Sequence, residues 1–356
     1  MRFTRRRFLT AAGGTAVLGS LAGCTGSSGA QATTSEGSAA QASFFVFGDL
    51  TMAVAGDAAT TALLTPVGQH GHGWEPGPRV REAISDASLF VHGMTGFQPW
   101  VDRILPDLEA DGSNVLTVDA STGVELLDVA ADHGHTHEDD ESHDDAASEA
   151  HDGPEHDDDD DHDEGEGEGD HDEHDTHAGS VDPHFWMDPL RVAEAITPVR
   201  RGLETVDEDN GEMYATNAEE LRARLTALHE RTRSVLDRRT RDVLLVAGHN
   251  SFRYFGDRYG VTVEALSNVS PDDRPTARDI ERAREIIADH GLRYVCADPL
   301  ESQRAAEQLV AETDAEAVLP LTALPGLTPE WEEAGWGYVD VVENVNLPTL
   351  ERALVE

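Results

Sequence analysis

Lysine is absent from this 356-residue chain, so all 26 positions counted as Lys plus Arg are arginine. Cysteine is nearly absent too. Only Cys24 and Cys296 occur, and with Cys24 in a leader-like stretch no disulfide framework is available. No apolar run approaches the roughly 20 residues needed to span a bilayer. The chain also has no HExxH, the helical two-histidine signature of zinc hydrolases. Positive charge is scarce throughout: 26 basic against 70 acidic residues give a formal net charge of −44. That balance argues against nucleic acid as a partner, because phosphate recognition wants a basic face. The remaining cysteine, in Leu292-Arg293-Tyr294-Val295-Cys296-Ala297-Asp298-Pro299, reads as an inert thiol on a buried strand.

What the chain does hold is acid and histidine, concentrated in one tract. Residues 132–177 carry 23 Asp or Glu and 10 of the 17 His, with no Arg. No packed core can form from that composition, so residues 132–180 are expected to be a disordered, metal-attracting tether. Removing the 23 acids still leaves 47 against 26 bases, about −21 on the remainder. An acidic skin without lysine resembles the proteins of extreme halophiles such as haloarchaea. In molar salt the Debye length falls to roughly 3 Å, which screens the self-repulsion of such a surface.

The chain opens with Arg5-Arg6 ahead of Phe8-Leu9 and a short run of small, weakly apolar residues. This fits a twin-arginine export signal over residues 1–24. Leu21-Ala22-Gly23-Cys24 resembles a lipobox, with Cys24 as the lipid-bearing first residue of an extracellular, membrane-anchored lipoprotein. Residues 25–42 are rich in Gly, Ser, Ala, Thr and Gln and read as a flexible linker.

From residue 43 short apolar runs alternate with helical stretches. Strands are expected at 43–48, 88–93 and 114–119, with helices at 50–64, 80–87 and 98–111. After residue 241 the alternation resumes, with strands at 242–249, 261–266, 293–299 and 317–321. Helices there are expected at 276–290 (capped by Thr276 with Asp279), 301–313 and 337–354. This order predicts an α/β protein of two lobes, each a mostly parallel sheet flanked by helices. The boundaries are 43–205 for the N-terminal metal-binding lobe and 241–356 for the C-terminal lobe. A linking helix region, 206–240, joins them. Within it Ala218, Leu221, Leu225, Leu228, Thr232 and Val235 recur at three- and four-residue spacing, uninterrupted by Gly or Pro over 213–238. That is the pattern of one long rigid helix.

Seven histidines lie outside the tract. His229 and His290 sit on helices and are expected to be solvated, and His92 at a strand end reads as a supporting or structural residue. His72, His184 and His249 end or follow expected strands, where open α/β sheets bind ligands. Their flanks, HGWEPGP, DPHFWMDP and GHNSFRYFGDRYG, resemble the three ligand motifs of the zinc- and manganese-type solute-binding proteins of ABC importers. The resemblance covers nearly all of residues 43–356, and an acidic His-rich loop before the second motif marks the zinc-type members.

The resemblance implies a metal in the cleft between lobes, held by His72 and His184 from the first and His249 from the second. It also implies an ABC permease with its ATPase as partners, and a monomeric binding protein. Three imidazoles favour Zn²⁺ over Mn²⁺, which prefers oxygen. Many relatives carry a carboxylate just before the closing helix, where Trp336 stands here. Asp340 lies one turn on, so Asp340, His70, a water or a tract histidine is left to complete the site. An importer for manganese or another divalent metal, and a surface zinc buffer or adhesin, are the alternative readings. A hydrolase is disfavoured, since no second acid is poised in the three motifs as a general base.

Overall fold

In the computed structural model, residues 39–69, 71, 74–129, 181–267 and 275–356 are described. The signal, most of the linker, the His/Asp-rich tract, His70 and His72 lie outside them. The described residues on either side of 128–181 pack as one compact unit.

The first sheet has the order β2-β1-β3-β4 and is parallel throughout. Its strands are β1 (Ala39–Ala42), β2 (Thr60–Leu63), β3 (Leu89–His92) and β4 (Leu116–Asp119). The segment expected as the first strand is instead the start of α1 (Phe45–Ala55), and the true first strand lies just upstream. The reason is burial around most of the helix: Phe45, Val46, Phe47, Leu50 and Val54 are all enclosed, and the one strongly exposed position, Met52, is itself apolar, so the run has no polar face to betray its period. Alanine is a poor strand former, yet β1 is held by neighbours on both edges, and Ala40 and Ala42 leave room for the layer above. The expected helix at 50–64 accordingly breaks at Gly56 and ends in β2. Helices α2 (Pro78–Ser85) and α3 (Pro99–Ala110) stand close to their expected places.

Two helices carry the chain from the first sheet to the second. The first, α4 (Pro189–Val206), starts at Asp188, whose carboxylate accepts from Leu190 N at 2.9 Å, with Pro189 preset for the first turn. The second, α5 (Gly211–Leu236), has 26 residues, about 39 Å at 1.5 Å per residue. It buries Tyr214, Ala218, Leu221, Leu225, Leu228, Thr232 and Leu236. Asn217 near its start donates to Val54 O in α1, and Arg231 further on pairs with Glu343 at 2.6 Å. One rod thus touches the first lobe near its start and the second further along.

The second sheet repeats the first in order and sense, β6-β5-β7-β8, again all parallel. Its strands are β5 (Val243–His249), β6 (Thr262–Ser267), β7 (Tyr294–Ala297) and β8 (Ala317–Pro320). Between them run α6 (Arg253–Tyr259), α7 (Ala277–His290) and α8 (Arg304–Glu312). The Thr276/Asp279 capping box is present at the start of α7. A short α9 (Pro329–Glu333) precedes the closing helical segment, where α10 (Tyr338–Val341) and α11 (Leu347–Leu350) alternate with π-helical turns at Val342–Asn346 and Glu351–Val355. Cys296 is fully buried on β7, and burial pushes its thiol up to about 12.

Candidate metal centre

His249 is the last residue of β5, the strand beside which the order of the second sheet reverses between β5 and β7. Open parallel sheets bind ligands at that crevice, beyond the strands' carboxyl ends. His184 reaches the same point from another direction. It is held by a non-regular segment that leads through a single 3₁₀ turn, Phe185–Met187, into α4. The expectation that it ends or follows a strand is therefore corrected: among the described residues only an isolated bridge, Val181 to Asp128, immediately precedes it.

The aromatic pair after His184 explains how a loop can aim a side chain. Trp186 is fully buried, with its ring 4.9 Å from Phe44 and 5.2 Å from Phe97 of the first lobe. Its indole N–H donates to Ala323 O at 2.8 Å, and its carbonyl accepts from Tyr338 Oη at 2.7 Å, both in the second lobe. Beside Ala323, Leu324 is buried at φ 59°, a conformation that a γ-branched residue adopts only under constraint.

Both rings of the candidate site are enclosed, His184 at 0% exposure and His249 at 5%. One carboxylate oxygen of Asp182 lies 2.8 Å from His184 Nδ1 and also accepts the His184 backbone N–H at 2.9 Å. The buried Asp182 charge is met by Arg253 of α6 at 3.7 Å. With Nδ1 donating to Asp182, His184 Nε2 carries the lone pair and accepts from His249 Nε2 at 3.2 Å when that ring holds its proton there; with the His249 proton on Nδ1, both Nε2 lone pairs face one point. Two nitrogens of a tetrahedral zinc with bonds of 2.0 to 2.1 Å are separated by about 3.3 Å. The pair already has the bite of a metal ligand set. On the far side of the His249 ring, Glu301 Oε1 stands 3.3 Å from Nδ1.

A second polar seam lies one turn along. Asp188, wholly buried, receives Arg191 Nη1 at 3.2 Å and Arg258 at 2.6 Å (Nη2) and 2.7 Å (Nε). Arg191 continues to Asp257 at 3.2 Å and lies over the Tyr254 ring at 4.8 Å. The Tyr254 hydroxyl donates to Asp182 O at 2.6 Å and accepts from Leu127 N at 2.9 Å. The segment carrying His184 is thus stitched to the α6 side of the second lobe by charge, hydrogen bonds and a cation–π contact.

Of the other candidates, Asp340 holds a helix cap, its carboxylate accepting from Gly337 N at 3.0 Å. Trp336 stacks on Trp331 with centroids 6.4 Å apart. His92 is buried with Nδ1 donating to Gly93 O at 2.7 Å, and burial lowers its pKa. That makes it a packing residue. His290 is exposed as expected, but His229 is not simply solvated: it stacks on Tyr259 at 5.6 Å and meets its hydroxyl at 3.2 Å. Among the described residues no group of three or more His, Cys, Asp or Glu is spaced to hold a metal. His70 and His72 are outside that set, but Gly71 between them is described. A Cβ there would come within 2.5 Å of the Phe44 ring and 2.9 Å of Pro325 O, so only glycine fits. The sequence reading missed Asp182 and Glu301. The first was visible two residues before His184, while the second comes from a loop with no motif of its own.

Comparison with known proteins follows the same lines. The family profile described as "ZnuA: Zinc-uptake complex component A periplasmic" matches residues 41–353. The high-affinity zinc uptake system protein ZnuA of Bacillus subtilis is 26% identical over 312 residues, covering 88% of this chain and 86% of that protein. Zinc-binding lipoprotein AdcA of Streptococcus pneumoniae is 28% identical over 309 residues, 87% of this chain but 54% of its own length. The chain thus spans about half of the AdcA relatives. Among solved structures, the Zn(II)-bound ZnuA-like domain of S. pneumoniae AdcA superposes with a TM-score of 0.67 at 24% identity, covering 90% of this chain and 100% of that one. The metal-dependent lipoprotein YcdH of B. subtilis gives 0.66 at 23%, with coverage of 90% and 100%. At these identities the structures establish the fold, two parallel four-stranded sheets flanked by helices.

Proposed function

The chain belongs to the ZnuA family of zinc-uptake complex components, and from that membership we propose that it captures Zn²⁺ outside the cell and hands it to a membrane permease. The permease would be of the ABC type, driven by its own ATPase. The observation that carries this reading is the His184 Nε2 to His249 Nε2 separation of 3.2 Å, with Asp182 fixing the first ring so that its lone pair points at the second. Two buried imidazole nitrogens at the edge length of a zinc tetrahedron make a site for a borderline-soft cation. The same donor set disfavours Mn²⁺.

His72 is the third ligand in this proposal. What supports it is Gly71, its neighbour, which touches Phe44, the ring against which Trp186 beside His184 also packs. Asp340 would have to leave its cap to coordinate, so the fourth position falls to His70, a water or a tract histidine. Zinc here is cargo. The chain's residues bind and orient it, and release follows when the loaded face meets the permease. Cys24 as a lipid anchor, export by the twin-arginine route and a monomeric state complete the proposal. The proposed domain limits are 1–24 signal, 25–42 linker, whose last four residues form β1 of the first sheet, 43–205, 206–240 and 241–356.

The test is a zinc titration of the full chain in chelator-buffered solution. One tight site per chain is expected, lost in His184→Ala and in His249→Ala. Unchanged tight binding in both variants would refute the reading.

A further inference from the structure

We propose that Glu301 is a positioning residue for zinc capture, holding the His249 ring in the tautomer that bears its proton on Nδ1 and its lone pair on Nε2. The inference rests on the metal site proposed above and adds a residue that no ligand motif contains.

The geometry of the two histidines is matched. His184 has a carboxylate, Asp182, 2.8 Å from Nδ1, and His249 has a carboxylate, Glu301, 3.3 Å from the same ring atom. Each acid lies on the side of its ring away from the facing Nε2 pair. A neutral imidazole carries one N–H, and a carboxylate accepts it, so each acid draws the proton to Nδ1 and leaves Nε2 free to donate its lone pair to a metal. Without Glu301 the His249 proton would partition between the two nitrogens. The fraction on Nε2 would block the ligand atom or bond to His184 Nε2. A carboxylate on the outer nitrogen also raises the donor strength of a ligating imidazole.

The two acids differ in setting. Asp182 is sealed, at 0% exposure, and its charge is met by Arg253. Glu301 keeps 24% of its side chain exposed and sits on the loop after β7, across the switch point from His249. Its position there is crowded: a Cβ on Gly248 would stand 3.0 Å from Glu301 Oε2, so the glycine before His249 leaves the acid its room. Glu301 is not itself a ligand in this arrangement, because it approaches Nδ1 while the metal edge is formed at Nε2.

The experiment uses the full chain and Zn²⁺ alone as probe, with chelator-buffered titrations of wild type, Glu301→Ala, Glu301→Gln and His249→Ala. In parallel, ¹⁵N-histidine spectra of the metal-free proteins report the His249 tautomer, assigned by the signal missing from His249→Ala. Loss of a partner on the outer nitrogen typically weakens metal binding by about 10- to 100-fold. Glu301→Ala is expected to show that loss, together with a shift of the His249 signal away from the Nδ1–H form. Glu301→Gln, which keeps an acceptor oxygen, is expected to recover part of both. Affinity within twofold of wild type in Glu301→Ala would overturn the proposal. So would a loss of affinity with the His249 signal unmoved, since a merely structural role predicts that. If His249→Ala keeps the tight site, the metal-site reading itself fails. If His249→Ala loses it and Glu301→Ala does not, only the role of Glu301 falls.

Discussion

Asp188 of the first lobe and Arg258 of the second meet at 2.6 Å, the carboxylate fully buried and the guanidinium one-third exposed. Because Asp188 follows His184 by a single turn and Arg258 lies on α6 just after His249, this ion pair bridges the two arms of the candidate site. Replacing Asp188 by Asn would leave Arg191, at 7% side-chain exposure, with only the half-exposed Asp257 as a partner charge. Breaking a buried pair from one side typically costs about 3 to 5 kcal/mol. Asp188→Asn is therefore expected to lower the denaturant midpoint substantially, and a midpoint equal to wild type would show the seam to be dispensable.

The tract and the cleft make separable predictions for zinc. Deleting residues 133–178 should leave one tight site, since the His184 and His249 rings owe nothing to it in their contacts with Asp182 and Glu301. In that shortened chain His184→Ala should weaken binding by about a hundredfold or more, about 3 kcal/mol. Calorimetry distinguishes this from a surface zinc buffer, which would lose nearly all its capacity with the tract.

Asp298 gives a pH signature. Its carboxyl, in the residue just after β7, is buried and pushed up to about 6, chiefly by loss of water, with the Glu301 charge adding to the rise. Between the ordinary value of 3.8 and about 6 the folded chain holds a proton that the unfolded chain has released. This contribution to stability therefore falls as pH rises through that window. Across it the wild-type midpoint should lose ground relative to Asp298→Asn, and parallel curves for the two would contradict the assignment.

Cys296 should stay unlabelled in the native protein. Its thiol is fully buried and raised to about 12, so little thiolate forms at pH 8 and none is within reach of reagent. Mass spectrometry of the Cys296 peptide after iodoacetamide treatment, with and without denaturant, checks this.

Salt should matter to stability. Outside the tract the chain carries about −21, from 47 acids and 26 bases, and surface pairs such as Arg293–Glu316 offset only part of it. Thermal melts followed by circular dichroism should shift downward when salt is lowered from about 2 M to about 0.1 M, where the Debye length lengthens to about 10 Å. Identical melts would set aside the halophile comparison.

Much of this architecture was legible from periodicity. The spacing of Leu221, Leu225 and Leu228 gave α5 nearly to its ends, and Thr276 with Asp279 gave the start of α7. What was not legible depended on surroundings. Phe45 to Val54 are mostly buried and their exposed position, Met52, is apolar, so their pattern is that of a core segment of either kind, and Ala39–Ala42 is a strand only because two neighbours pair with it. At the site, His184 and His249 announce themselves by their flanks, and the structure brings them together. Glu301 does not, because its relation to His249 is made by strand order across β5 and β7 and leaves no local trace.

Asp182 N donates to Leu127 O at 2.8 Å. The chain therefore leaves the compact body and rejoins it at adjoining, hydrogen-bonded residues, immediately before the histidine that the whole site depends on. An excursion anchored in this way has ends that are fixed whatever lies between them, and each doubling of its length adds only about 0.6 kcal/mol of closure entropy. Selection can then lengthen, shorten or recompose residues 128–181 while Leu127 and Asp182 keep their bond. Two parts of one gene are free to change at different rates, with Leu127 and Asp182 as the border between them.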